Sequence, residues 1–277
     1  MSNDPVQTLL FQTPMPVLWI ATFLALVAAY FVGSWIRARM LAKSDAATDD
    51  DKNYEGYIVS GVVGLLALLM GFTFGLAVDR FDTRRVMVVT ESNAIGTTYL
   101  RAQTFPEPYR AEISRLLTKY VDVRIAVAKT TDKAEALRLL GESDALQASL
   151  WAQTIAAIAP LRDDVASSFM ETMNETIDVS AARKAARMAH VPQRVFVVLL
   201  IYMLMTGGVM GYVIAARRRG AVLTLLALLT ISYMLIIDID SPNRGRVREG
   251  QTAMEDLKAF IATHPSASFG TETTAPK

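Results

Sequence analysis

The chain has 277 residues, 52% hydrophobic and 20% charged, which is too apolar for an ordinary soluble domain and too charged to lie wholly in lipid. Its 28 Lys and Arg against 27 Asp and Glu leave a net charge of +1, so nothing points to nucleic acid or another polyanion as a partner. Cysteine is absent and histidine stands only at 190 and 264, which excludes disulfides, thiolate catalysis and Cys-based metal sites, so no zinc, haem or other cofactor is expected.

The first element is an uncharged apolar run, Val17–Ile36, after a segment (1–16) with no Lys or Arg. It is longer than a signal-peptide core and ends in Trp35-Ile36-Arg37-Ala38-Arg39 rather than a small-residue cleavage site, so it is expected to remain as a membrane span. A polar loop, Arg37–Gly56, carries the acidic run Asp49-Asp50-Asp51, which reads as solvated because no calcium-loop spacing accompanies it. A second uncharged run, Tyr57–Val78, leads without a breaker into Asp79–Gln103, and Pro106 and Pro108 end that helix. A helix over Glu107–Thr130 follows, with Ile113, Leu116, Leu117, Tyr120 and Val121 at helical spacing. Thr131-Asp132 is the N-cap signal for the next, which Pro160 stops; another covers Leu161–Ala189.

Pro192 then opens the third apolar run, Val195–Ala216, and Ala221–Ile237 is the fourth and shortest. Each run is near the ~20 residues a helix needs to cross a hydrocarbon core. The chain therefore divides into an N-terminal segment (1–16), a first span pair (17–78), a helical extramembrane region (79–194), a second pair (195–237), an acidic-Pro segment with a short helix (238–262) and a tail (263–277) expected to be disordered, His264 included. No strand pattern and no repeat appear. The fold class is all-α, with four membrane helices in two pairs.

Orientation receives conflicting signals. Arg37, Arg39, Lys43 and Lys52 with Arg217–Arg219 favour the short loops as cytoplasmic, whereas Arg80, Arg84, Arg85, Arg183, Lys184, Arg187, Arg194, Arg244, Arg246 and Arg248 favour the opposite side.

Three segments could carry function. Gly61, Gly64, Gly71 and Gly75 interrupt the second span beside Phe72 and Phe74. Gly71–Gly75, like Gly207–Gly211 in the third span, has the spacing that lets helices pack closely in lipid. The alternative is that Gly64, Leu68 and Phe72, at i, i+4 and i+8, line an axis where apolar rings form a constriction. At the membrane exit stand Asp79, Arg80, Asp82, Arg84 and Arg85, and farther on Glu91 and Asn93. A carboxylate in so apolar a run as that around Glu91 is expected to pair with Arg84, Arg85 or a neighbouring helix. After the fourth span, Asp238, Asp240, Arg244 and Arg246 form a cluster able to cross-pair with Asp79–Arg85. No catalytic triad, phosphate loop or metalloprotease motif is present, so an enzyme is not expected; one would need Glu91, Asn93 and Asp82 to converge.

At these places the sequence resembles the bestrophin-like family of bacterial and plant membrane proteins, distantly similar to the bestrophin anion channels. Met70–Phe81 is similar to the end of the bestrophin pore helix, where Gly-Phe precedes an Arg-aromatic pair, and Glu91-Ser92-Asn93-Ala94-Ile95-Gly96-Thr97 resembles the bestrophin-like domain itself. His190-Val191-Pro192 and Asp238–Pro242 resemble the Pro-led third helix and the acidic-Pro stretch, so the likeness spans Val17 to Leu257. It implies a homo-pentamer in the bacterial inner membrane, with the central region and both termini cytoplasmic. Small ions, expected to be anions, would pass a neck of Gly64, Leu68 and Phe72 and a vestibule made positive by Arg80, Arg84 and Arg85. Asn243-Arg244-Gly245-Arg246 stands where animal bestrophins carry their acidic calcium clasp, so calcium activation is not expected. The competing expectation is a membrane-anchored scaffold or sensor whose spans conduct nothing.

Overall fold

A computed structural model describes residues 13–41, 49–160, 163–214, 218–242 and 247–269, with the side chains of 41, 49–55 and 267 left aside. It contains α1 (Met15–Leu41), α2 (Asp49–Ala102), α3 (Tyr109–Lys129), α4 (Lys133–Ile158), α5 (Asp164–Met188), α6 (Gln193–Val213), α7 (Arg219–Asp240) and α8 (Thr252–Thr263), then a 3₁₀ turn, Ser266–Phe269. No strand occurs among the described residues. Four helical stretches, holding α1, α2, α6 and α7, are long and apolar enough to cross a membrane. With no proline to interrupt it, α2 runs 54 residues. At ~1.5 Å per residue that is about 80 Å, far more than the ~30 Å of a hydrocarbon core, so much of this helix lies outside lipid.

The chain forms two compact units, residues 1–81 with 190–248 and residues 82–189 with 249–277. In the first, α1 packs on α6 and α7, and α6 packs on α7. Leu26, Tyr30, Leu66, Met70, Met203, Leu226 and Tyr233 form its core. The α1–α6 crossing is a backbone contact. A Cβ on Gly33 would fall onto the Gly208 carbonyl, one on Gly211 onto the Tyr30 carbonyl, and one on Gly207 would stand 3.1 Å from the Leu26 oxygen. Glycine is required here because two helix backbones touch. The Arg37 guanidinium donates to the Tyr212 and Val213 carbonyls, the latter at 3.1 Å, and satisfies the open end of α6.

The second span uses its glycines differently. A Cβ on Gly61, Gly64, Gly71 or Gly75 would meet nothing within 4 Å. Among the described residues, the close packing expected at Gly71–Gly75 therefore does not form within the chain, whereas that of the Gly207–Gly211 pair does. The reason is register: α2 turns Leu66, Met70, Thr73 and Ala77 inward, at i, i+4, i+7 and i+11, which leaves the glycines on the other side.

In the second unit α3 packs on α4 and α8, and α4 on α5. Ile95, Tyr99, Phe105, Ile113, Leu117, Tyr120, Phe169 and Met173 fill the core, joined by Met254 of α8. Asp132 caps α4 as its sequence position indicated, accepting from the Ala134 amide at 3.1 Å, and Asp163 caps α5 through Ala166 at 2.9 Å.

The tail departs from expectation. Ser92 Oγ donates to the Ala253 carbonyl (2.8 Å), Tyr99 Oη to the His264 carbonyl (2.8 Å), and the His264 ring stacks between Phe260 and Phe269. These contacts order the chain to Phe269; residues 270–277 lie outside the described residues, as do Lys43, Arg217 and the side chains of Asp49–Asp51.

Gly33→Leu and Gly211→Leu should each cost at least about 1–3 kcal/mol through overpacking and lower the melting temperature in detergent. Gly61→Ala should leave the melting temperature of the dispersed single chain unchanged, because a Cβ there meets no described residue of the same chain within 4 Å.

Candidate functional site

Exposure along α2 in the first unit follows the helix period. Gly64, Leu68, Gly71, Phe72, Gly75 and Asp79 are exposed, Leu68 at 55% and Phe72 at 66%. The residues expected to form a neck thus share one open side. On the packed side Thr73 Oγ1 returns its hydrogen bond to the Leu69 carbonyl (2.8 Å), so no polar group of that turn is left unmet in lipid. Arg80 is half-buried, its Nε enclosed without a hydrogen-bond partner.

In the second unit, Glu91 is fully buried and is the centre of an ion-pair cluster. Arg124 of α3 approaches its carboxylate at 2.7 and 3.1 Å, Arg183 of α5 at 2.5 Å, and Tyr120 Oη donates at 3.2 Å. Gln147 of α4 donates to that phenol at 2.9 Å, and Arg183 reaches on to Gln251 Oε1 at 2.9 Å. Burial and then the Glu91 carboxylate push the Tyr120 pKa up, keeping it a neutral donor. Burial alone would lower the Arg124 pKa, but Glu91 and Tyr120 outweigh it and hold the guanidinium charged.

Arg84, also buried, pairs with Glu249 at 3.3 Å rather than with Glu91. Arg85, Asp82 and Asn93 are exposed, and Asn93 stands about 200° around the helix from Glu91, so Glu91, Asn93 and Asp82 do not converge on one side of α2.

Asp240 closes α7 with a fully buried carboxylate. Its Oδ1 accepts from the Val191 amide at 3.0 Å, and His190 Nδ1 lies 2.9 Å from the Asp240 carbonyl and 3.5 Å from Oδ2. The pair joins the end of α7 to the residues that open α6. Asp238 is half-buried, and Arg244 and Arg246, expected in this cluster, lie outside the described residues.

The cluster residues not singled out from sequence are Arg124, Gln147 and Glu249, and Arg183 entered there only as a charge bearing on orientation. One signal was legible: Arg124 continues the core face Ile113, Leu117, Tyr120 at helical spacing, a position where arginine must find a carboxylate.

Glu91→Gln leaves two buried guanidiniums short of their counter-ion and should cost about 3–5 kcal/mol in chemical denaturation. Glu91→Gln combined with Arg183→Met should cost less than the sum of the single changes, because the two act on one interaction. Strict additivity would sink the assignment.

Comparisons with known proteins bear on this architecture. A crystal structure of a bacterial bestrophin homologue from Klebsiella pneumoniae with a tryptophan-to-alanine substitution superposes with a TM-score of 0.64 at 12% identity, covering 88% of this chain and 96% of that one. A second crystal structure of a bacterial bestrophin homologue from the same organism gives 0.60 at 13% identity, covering 89% and 97%. At such identities the likeness establishes the fold alone. No curated protein sequence matches the chain. A family model described as the bestrophin-like domain matches residues 22–253, most of the length, and the chain accordingly belongs to the bestrophin-like family.

Proposed function

We propose that the chain is one subunit of an oligomeric membrane ion channel, with the open side of α2 from several copies facing a common axis and Gly64, Leu68 and Phe72 forming its neck. One observation carries the reading. The outward sides of the other membrane helices are mostly bulky: Ile20, Leu24 and Phe31 on α1, Val198, Ile201 and Met205 on α6, Leu228, Ile231 and Leu235 on α7, with small residues such as Ala21, Ala28, Thr224 and Ser232 between them. Such side chains suit lipid. The outward side of α2 instead intersperses four glycines with Leu68 and Phe72, a surface shaped for close approach by other helices. Rings of Leu68 and Phe72 make a hydrophobic constriction that controls conduction by wetting and dewetting.

Family membership supports a pentamer in a bacterial inner membrane, with the second unit and both termini cytoplasmic, and it supports small anions as the permeant class. Arg84 lends that last point little, since it is turned into the packing against Glu249.

Purified protein in planar bilayers tests the reading. Wild type should conduct, and Leu68→Ala and Phe72→Ala should each raise unit conductance several-fold by widening the neck. Silence from a well-folded oligomer across several salts would favour a non-conducting scaffold acting through its second unit.

A further inference from the structure

We infer that copies of this chain are joined head to tail by an ion pair along α2, Arg80 of one copy meeting Asp82 of the next. The inference rests on the reading of α2 as the helix around a common axis, and it names the contact that closes the ring.

Arg80 and Asp82 stand two residues apart in one unbroken helix, so they are separated by about 3 Å along α2 and about 200° around it. Taking the direction of Phe72 as the front, ~100° per residue sets Arg80 about 80° to one side and Asp82 about 80° to the other. Opposite charges thus occupy opposite flanks at nearly one height. Residues two apart on a helix do not face each other, so the pair is not made within the chain. Arg80 is half-buried, and its enclosed Nε has no hydrogen-bond partner among the described residues; Asp82 is exposed. An enclosed guanidinium nitrogen without an acceptor is costly, and a carboxylate brought by a second copy removes that cost.

Helices that face an axis turn one flank to each neighbour. In a closed ring of parallel copies the flank with Arg80 meets the flank with Asp82 at every interface and never meets its own kind. The flanks also differ in bulk. Gly71 and Gly75 lie on the side of Asp82, about 100° and 60° from Phe72. A Cβ on either would meet nothing within 4 Å. Leu69 and Leu76 lie on the side of Arg80, about 60° and 40° from Phe72, and Leu76 is 51% exposed. Leucines of one copy enter the space that the glycines of the next leave open, which brings the two helices close enough for the charges to touch.

The charges also set the order of assembly. A two-fold pairing of parallel α2 helices joins like flanks and sets Arg80 against Arg80 or Asp82 against Asp82, which opposes association. Only the head-to-tail order pairs every charge. Each pair is neutral, so it bears on assembly and leaves the permeant class as proposed above.

The chain has no cysteine, which makes thiol cross-linking of the full-length protein in detergent a clean test. The double variant Arg80→Cys with Asp82→Cys, treated with a short bismaleimide, should give a ladder of covalent multimers that ends at the ring. Arg80→Cys alone and Asp82→Cys alone should run as monomers on a denaturing gel, because like flanks do not meet. Charge reversal gives a readout independent of the linker. Arg80→Asp should raise the concentration at which the oligomer half-dissociates by about tenfold or more, and Arg80→Asp with Asp82→Arg should recover it. Three outcomes overturn the inference and leave the channel standing: cross-linked dimers from either single variant, a reversed pair no better than Arg80→Asp alone, or no ladder from a double variant that is still oligomeric, which would leave these flanks to lipid. A monomeric wild type overturns both.

Discussion

The structure depends on one uninterrupted backbone ladder. No proline occurs between Asp49 and Ala102, so α2 keeps a single register over its whole length, and that register decides which side chains are packed and which are open. In the first unit it buries Leu66, Met70, Thr73 and Ala77; in the second it buries Arg84, Val88, Glu91 and Ile95. Within the second unit, a residue inserted between Val88 and Glu91 would turn Glu91 by about 100° away from the buried face that Arg84 and Val88 mark.

The two units stabilise themselves by different physics. In lipid, apolar side chains gain little by leaving a medium as apolar as themselves, and association relies on contact, which explains why α1 and α6 meet through Gly33, Gly207 and Gly211. Outside lipid, hydrophobic burial is available again, and Ile95, Tyr99, Leu117 and Phe169 form an ordinary core. Glu91 with Arg124 and Arg183 adds little net stability to that core, because removing three charges from water costs much of what their attraction returns. Its contribution is discrimination. Packings that separate Glu91 from both arginines leave a charge buried alone, so α2, α3 and α5 are confined to one mutual arrangement.

Much of this was legible in the sequence because membrane spans, proline stops and caps are local signals. Four uncharged runs located the spans, Pro106 and Pro108 located the end of α2, and Asp132 located the start of α4. The partners of Glu91 were not legible in the same way. Arg124 and Arg183 lie 33 and 92 residues away, and only the packing of three helices brings them to one carboxylate. The ordered tail was hidden for a similar reason: Ser, Thr and Pro around His264 read as disorder, while the contacts that hold it come from Tyr99, Phe260 and Phe269. Arg84 was assigned to the vestibule by resemblance; the helical period that exposes Arg85 buries Arg84 beside Glu249.

Glycine illustrates how far a motif needs its surroundings. Gly71–Gly75 and Gly207–Gly211 have the same spacing, and spacing alone assigns both to helix packing. The second pair meets the backbone of α1 at once, whereas the first meets nothing within 4 Å among the described residues of its own chain. A glycine surface turned outward gains less contact with lipid chains than the aliphatic surface that replaces it on α1, α6 and α7, since each missing side chain removes dispersion contacts that nothing else supplies. Such a surface is favourable only against a partner close enough to restore them. Among the described residues the protomer offers none on that side of α2, and the proposed assembly of copies would supply it. The same reasoning links assembly to conduction: a helix that needs neighbours along its glycines presents Leu68 and Phe72 together wherever those neighbours close a ring.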